Sequence, residues 1–187
     1  ENLLRERLRE LSNGRWQSRQ YMSVKEDVYW VMLTMTKQDD ELVFDFAGSS
    51  DQAKYAINCT KWASLGGLFA PLFPLLCYDI PWNEGIIKPV KMIAQEGTIV
   101  NCIRPAPVSV ATVGAIQSVN NAACATIGKM LEASETYAKE ATAVWHANNF
   151  AVFKFGKNQH GNDSIGIFTE VFAGAGGART FGDGVDV

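Results

Sequence analysis

Between residues 28 and 36 the side chains alternate without a break, Val28, Trp30, Met32 and Thr34 on one side against Tyr29, Val31, Leu33 and Met35 on the other. Successive side chains leave opposite faces of a pleated backbone, so this period of two specifies a strand; a helix would scatter the same set around its circumference. Arg15 to Met22 and Leu42 to Ala47 read as strands on either side, and Gln38-Asp39-Asp40 supplies a polar turn into the third. Residues 15–47 therefore predict an antiparallel meander.

Helices are expected around it. Leu3, Leu4, Leu8 and Leu11 fall at helical spacing among Arg and Glu, which predicts an amphipathic helix over Glu1 to Leu11 ended by Asn13-Gly14. From Lys61 small and apolar residues predict helix to about Cys77 apart from Pro71 and Pro74, then a loop over Pro81 to Gly85. Val90 to Ile93 and Ile99 to Cys102 read as short strands around the Gln95-Glu96-Gly97 turn, and Ala111 to Leu131 as a buried helix. Phe150, Val152, Phe153 and Phe155, then Ile165, Ile167, Phe168 and Val171, suggest two further strands joined through Asn158 to Asp163. No fixed-period repeat or long linker divides the chain, so residues 1–187 are expected to be one unit of α+β class, an antiparallel strand meander with packed apolar helices.

Composition removes several function classes. With 187 residues, 47% of them hydrophobic and 20% charged, the chain can bury a single core. A net charge of −3 provides no basic field for a phosphate backbone, so nucleic acid is not expected as a partner. The longest apolar run, Ala63 to Tyr78, is interrupted by Gly66-Gly67, Pro71 and Pro74 and falls short of the roughly 20 residues that span a membrane. Cys59, Cys77, Cys102 and Cys124 form no C-x-x-C pair and read as reduced, mostly buried thiols of a cytoplasmic protein; nor does a charged-then-apolar leader suggest export.

Four places offer chemistry. Asp45 precedes Ala47-Gly48-Ser49-Ser50, a turn whose successive N–H groups can grip an anion or a carbonyl oxygen; the plain alternative is a turn in which Ser49 or Ser50 caps a helix. In Asp79-Ile80-Pro81-Trp82-Asn83-Glu84-Gly85, a stiff Pro81 and a permissive Gly85 aim Glu84 as a general base or metal ligand and Asn83 as a donor to a developing oxyanion, unless Asn83 simply bonds its own loop. His146 stands beside two amides in Trp145-His146-Ala147-Asn148-Asn149, whereas His160 reads as a loop-tip residue. Gly174-Ala175-Gly176-Gly177 lacks the spacing of a P-loop or a dinucleotide fingerprint and reads as a tight loop where backbone approaches a ligand or another chain, with Glu170 just before it.

The order of these segments resembles the B-type subunit of the hydantoinase/oxoprolinase family, which includes N-methylhydantoinase, 5-oxoprolinase and the acetone and acetophenone carboxylases. The resemblance runs through Leu8 to Trp16, Asp45-Phe46-Ala47-Gly48-Ser49, Ile57-Asn58-Cys59, Asp79 to Gly85, Arg104-Pro105-Ala106-Pro107-Val108 and Gly174 to Arg179 with Asp183-Gly184; Ser12-Asn13 stands where Pro-Asp is usual. The family's longer subunits carry His- and Asp-containing motifs ahead of these segments, so the chain reads as an internal piece of a larger subunit.

The resemblance implies a cyclic-amide hydrolase in which an A-type partner holds ATP and phosphorylates an amide or enolate oxygen. The B-type subunit then handles the activated small-molecule intermediate with a divalent metal. It implies neither ATP nor metal bound by this segment alone, and contacts with the A-type subunit and the remainder of its own subunit. A ketone carboxylase subunit is the alternative within the family, with Trp62, Phe69, Phe73 and Trp82 hinting at an apolar pocket. An assembly segment whose catalytic residues lie elsewhere is the alternative outside enzymology.

Overall fold

A computed structural model of the chain describes residues 1–143 and 146–184, with 146–154 and 167–175 described as backbone only. Helix α1 spans Asn2–Glu10 and buries Leu4 and Leu8, while Leu3 faces solvent. The helix stops before the Asn13-Gly14 signal: Leu11 is already extended, its N–H donating to the Leu8 carbonyl. Asn13 ties the exit of α1 to the next turn, its Oδ1 accepting from the Asp39 N–H at 2.8 Å and from the Lys37 Nζ at 2.9 Å.

Strands β1 (Gly14–Val24), β2 (Asp27–Gln38) and β3 (Glu41–Asp45) form the expected antiparallel meander. Two-residue turns join them, with Lys25 at φ 56 and Asp39 at φ 52 in the left-handed region. Helix α2 (Lys61–Leu76) then carries the chain across to β4 (Val90–Ile93), which pairs parallel to β3. The sheet is thus mixed, in the order β1-β2-β3-β4, because a helical crossover returns a strand in the same direction. Helix α3 (Gln117–Glu132) follows a π-turn over Thr112–Ile116 and packs on β1, β2 and α2.

The core lies between one sheet face and the helices. Val31, Leu33, Met35, Leu42 and Phe44 meet Leu68, Leu72 and Leu76 of α2 and Val119, Ala123 and Ile127 of α3, all buried. Pro71 and Pro74 remain inside α2 although each removes an N–H donor; Pro71 is itself buried. At the α2–α3 crossing a Cβ on Gly67 would stand 3.1 Å from both Cγ2 and the carbonyl oxygen of Ile116, so the absence of a side chain sets the helix approach.

One expected strand is absent. Ile99 to Cys102 forms a tight turn, Asn101 N–H donating to the Thr98 carbonyl, with single bridges from Thr98 to Asp51 and Asn101. Its apolar character reflects burial, since Ile99 and Val100 lie under residues 50–59. Strands β5 (His146–Lys157) and β6 (Asp163–Ala175) form the expected hairpin, with a bulge between Phe150 and Val152.

Candidate functional site

The serine turn after β3 and the Gln95-Glu96-Gly97 turn after β4 meet beyond the carboxyl ends of this parallel pair. The Ile99 N–H donates to the Ser50 carbonyl at 3.0 Å and the Gln52 N–H to the Gly97 carbonyl at 2.8 Å. Gln52 Oε1 then accepts the Ile103 N–H. Inside this loop cluster sits Asn58, 0% exposed, whose role the sequence reading did not anticipate. Its Oδ1 accepts the Ala53 N–H at 2.6 Å, and its Nδ2 serves the carbonyls of Ala53, Tyr55 and Pro107, each at 2.9 Å. A polar residue between Ile57 and Cys59 in a buried run was the available signal, because a buried amide must find partners.

The serine turn has a structural use. Ser49 Oγ accepts the Met32 N–H and donates to the Met32 carbonyl, while Ser50 Oγ accepts the Trp30 N–H and the Ser50 N–H donates to the Trp30 carbonyl. The two residues thereby continue the ladder along β2 after β3 has ended at Asp45. The Ser49 N–H is also committed, to the Phe46 carbonyl, so neither serine amide is available to an anion. Asp45 is half-buried, opposite Thr34 and Ile93, with Oδ1 accepting the Ala47 N–H at 2.9 Å.

The Asp79–Gly85 loop lies at the other end of the β3–β4 pair, where Leu42 N–H donates to the Pro89 carbonyl. The five residues of β3 separate it from the loop cluster by about 13 Å at the usual rise per residue. Arg7 clamps Asp79 through two parallel hydrogen bonds of 2.8 and 2.9 Å and also donates to the Leu76 carbonyl. That guanidinium holds the Asp79 carboxyl below its ordinary pKa. Trp82 donates its Nε1–H to the Cys77 carbonyl and stacks on Phe73 at 4.8 Å, which stacks on Phe69 at 5.0 Å. Asn83 bonds its own loop: Oδ1 accepts the Gly85 N–H and Nδ2 donates to the Pro81 carbonyl, capping the short 3-10 turn Glu84–Ile86. Glu84 is exposed.

Asp45 and the pair Asn83 and Glu84 are therefore not brought together. His146 opens β5 opposite Ala175, but its side chain, that of Glu170 and all of Trp145 lie outside the described residues. His160 is exposed at the hairpin tip. The glycine-rich segment approaches its own chain: a Cβ on Gly177 would stand 2.0 Å from the Ala143 carbonyl oxygen, and one on Gly184 would strike Gly176. Nor do the four aromatics line one pocket. Trp62 is 73% exposed in the first turn of α2, about 16 Å up the helix from the half-buried Phe73.

Cys59 and Cys77 are buried free thiols. Burial pushes Cys59 and Cys77 up to about 11, so little reactive thiolate is present at neutral pH. Lys37 is buried beneath the α1 exit, its Nζ on the Leu11 carbonyl and Asn13, and burial lowers its pKa. Among the described residues no helix is long and apolar enough to cross a membrane, and no three His, Cys, Asp or Glu side chains group as metal ligands.

The model of the Hydantoinase B/oxoprolinase family matches residues 1–187. The chain belongs to that family. A putative B-type subunit of a D-/L-hydantoinase from Pseudomonas sp. strain NS671 is 24% identical over 201 residues, covering 100% of this chain and 32% of the relative. An uncharacterized Methanocaldococcus jannaschii protein is 28% identical over 99 residues, 53% of this chain and 18% of its own. Among solved structures, the ATP-dependent caprolactamase of Pseudomonas jessenii superposes with a TM-score of 0.81 at 21% identity, over 99% of this chain and 32% of that one. A nucleotide-free acetone carboxylase does so with a TM-score of 0.84 at 18% identity, over 97% and 26%. This family member thus shares their fold and spans a third or less of these relatives.

Proposed function

We propose that the chain forms part of the B-type subunit of an ATP-dependent cyclic-amide hydrolase, a hydantoinase or oxoprolinase, acting beside an A-type subunit that binds ATP. The observation that carries this reading is the family match over residues 1–187, supported by alignment of the whole chain to a relative named as a hydantoinase component of the B type. In this scheme the partner transfers the γ-phosphoryl of ATP to an amide oxygen, leaving ADP, which makes the ring carbon a better electrophile; water adds there, the ring C–N bond breaks as its nitrogen takes a proton, and hydrolysis releases the phosphate. Glu84 is the residue we assign as the base: its exposed carboxylate sits on a loop held by the Arg7–Asp79 clamp and the Trp82 stack. The divalent metal of the full complex would be held by residues of the subunit outside this segment.

Two second readings have observations behind them. The fold likeness to acetone carboxylase favours a ketone carboxylase subunit, in which a phosphorylated enolate attacks carbon dioxide. The internal use of Asn83, Ser49 and Ser50 favours an assembly segment. The deciding experiment purifies the full-length subunit with an A-type partner and assays ATP-dependent opening of hydantoins and 5-oxoproline against carboxylation of acetone and acetophenone. Ring opening by the pair, with none by the 187-residue chain alone, is expected. Turnover by the chain alone would refute the division of labour, and carboxylation without ring opening would select the carboxylase.

A further inference from the structure

Strands β5 and β6 are composed differently from the rest. Phe150-Ala151-Val152-Phe153 and Ile165-Gly166-Ile167-Phe168 carry apolar residues or glycine at successive positions, and β6 goes on to Val171-Phe172-Ala173. Successive residues of a strand lie on opposite faces, so these runs place apolar residues on both. That is the composition of strands covered by protein on two sides. Strand β1 shows the opposite habit, alternating half-buried and exposed along its whole length.

Among the described residues no other strand pairs with the hairpin. Its 12- and 13-residue strands form a two-stranded sheet of their own, leaving each strand one open edge, and they neighbour extensively only each other. At the usual rise the ribbon runs about 40 Å. Near its tip Ile165 is 71% exposed. The base is held firmly, the Ala143 N–H donating to the Ala178 carbonyl at 2.8 Å and Thr142 Oγ1 to the Gly177 carbonyl at 3.0 Å. A lone two-stranded hairpin is marginal in water, and a long open edge is a template for another strand. The ribbon is anchored at one end, and among the described residues no further strand pairs with either edge.

We propose that the β5–β6 hairpin is the seam through which this segment is built into the remainder of a B-type subunit. Strands from outside residues 1–187 pair with the open edges of β5 and β6, and an apolar layer lies on each face. The proposal rests on the reading of the chain given under the proposed function. The occupant is more of the same polypeptide, because the matched region is 32% of the curated relative and 32% and 26% of the two solved chains, which leaves most of each relative's length to supply the cover. Recognition is through backbone hydrogen bonds and apolar burial, since Lys154 and Glu170 are the charged residues within 150–155 and 165–173.

Hydrogen–deuterium exchange read by mass spectrometry tests this, on the 187-residue chain and on the full-length subunit of the same reading frame. In the chain alone, peptides over 146–157 and 163–175 should exchange far faster than those over 31–35 of β2; in the full subunit, hairpin and β2 should be protected alike. Ile167→Asp should abolish the gained protection in the full subunit while leaving β2 exchange in the short chain unchanged. Fast exchange of the hairpin in the full subunit would overturn the seam and leave the family reading standing. A reading frame that does not continue would overturn the proposed function and the seam together. Protection that arises in the short chain with rising concentration, alongside a dimer in sedimentation, would assign the hairpin to a second copy and likewise overturn the seam.

Discussion

Replacing Asn58 by Ala removes the one side chain that ties residues 53, 55 and 107 together at the loop cluster. Asn58 is 0% exposed and Ala53, whose N–H it accepts, is 4% exposed, so water cannot easily substitute. Its two amide protons serve three carbonyl oxygens, each at 2.9 Å, so two bonds from Nδ2 and one to Oδ1 are lost at a time. At about 1 kcal/mol for each, with a further penalty for a buried N–H left without an acceptor, the expected loss is about 3–4 kcal/mol. For a chain of this size that lowers Tm by roughly 10 °C. Urea titration followed by circular dichroism gives the loss directly, provided the slope with denaturant stays at its wild-type value. A loss below about 1 kcal/mol would refute the reasoning, because it would mean that the loops hold their arrangement without the amide. Asn83→Ala is the control: the same truncation on an exposed turn should cost under about 1 kcal/mol.

Glu84→Gln should leave Tm almost unchanged yet lower kcat of the full-length subunit with its partner by about a hundredfold if the carboxylate is the base; unchanged turnover per folded enzyme would remove it from the mechanism. Lys25 has φ 56, which a non-glycine residue adopts at an energetic penalty, so Lys25→Gly should stabilise by about 0.5–1 kcal/mol in urea titration, and a loss would show that the turn is not strained. Arg7 lowers the Asp79 pKa, so the ion pair contributes stability above the unfolded pKa of about 4 and loses it as pH falls through the folded value. Tm should therefore fall on acidification below about pH 4, and Asp79→Asn should lower Tm at about pH 6 while shrinking that acid-induced drop; an identical pH profile in the variant would count against the clamp.

Much of the framework was legible because it depends on local periodicity. The period of two over Val28 to Met35 specified β2, and the leucines of α1 specified an amphipathic helix, of which Leu4 and Leu8 are the buried residues. Periodicity failed at Ile99-Val100, where an apolar pair reported burial and not extension. Helix α1 ends at Glu10, within a residue of the expected Leu11, and Asn13 beyond it is held by Lys37 and Asp39 of the β2–β3 hairpin. The candidate site was less legible. Asp45 ends β3 and Asn83 and Glu84 lie in the Asp79–Gly85 loop, but whether an amide, hydroxyl or carboxylate is occupied within its own fold depends on partners distant in sequence.

Sequence alone thus determined the family, the α+β class and every strand and helix segment named here except Ile99 to Cys102, because motif order and side-chain period are written along the chain. Only the tertiary structure decided that β4 joins β3 in parallel, that Arg7 clamps Asp79 across α1, and that Asn58 binds the loop cluster. It also separated Asp45 from Asn83 and Glu84 by the length of β3. The β3–β4 pairing, the Arg7–Asp79 clamp and the Asn58–Pro107 bond each join residues dozens of positions apart, and such a contact exists only once the chain has paid the entropy of closing the intervening loop.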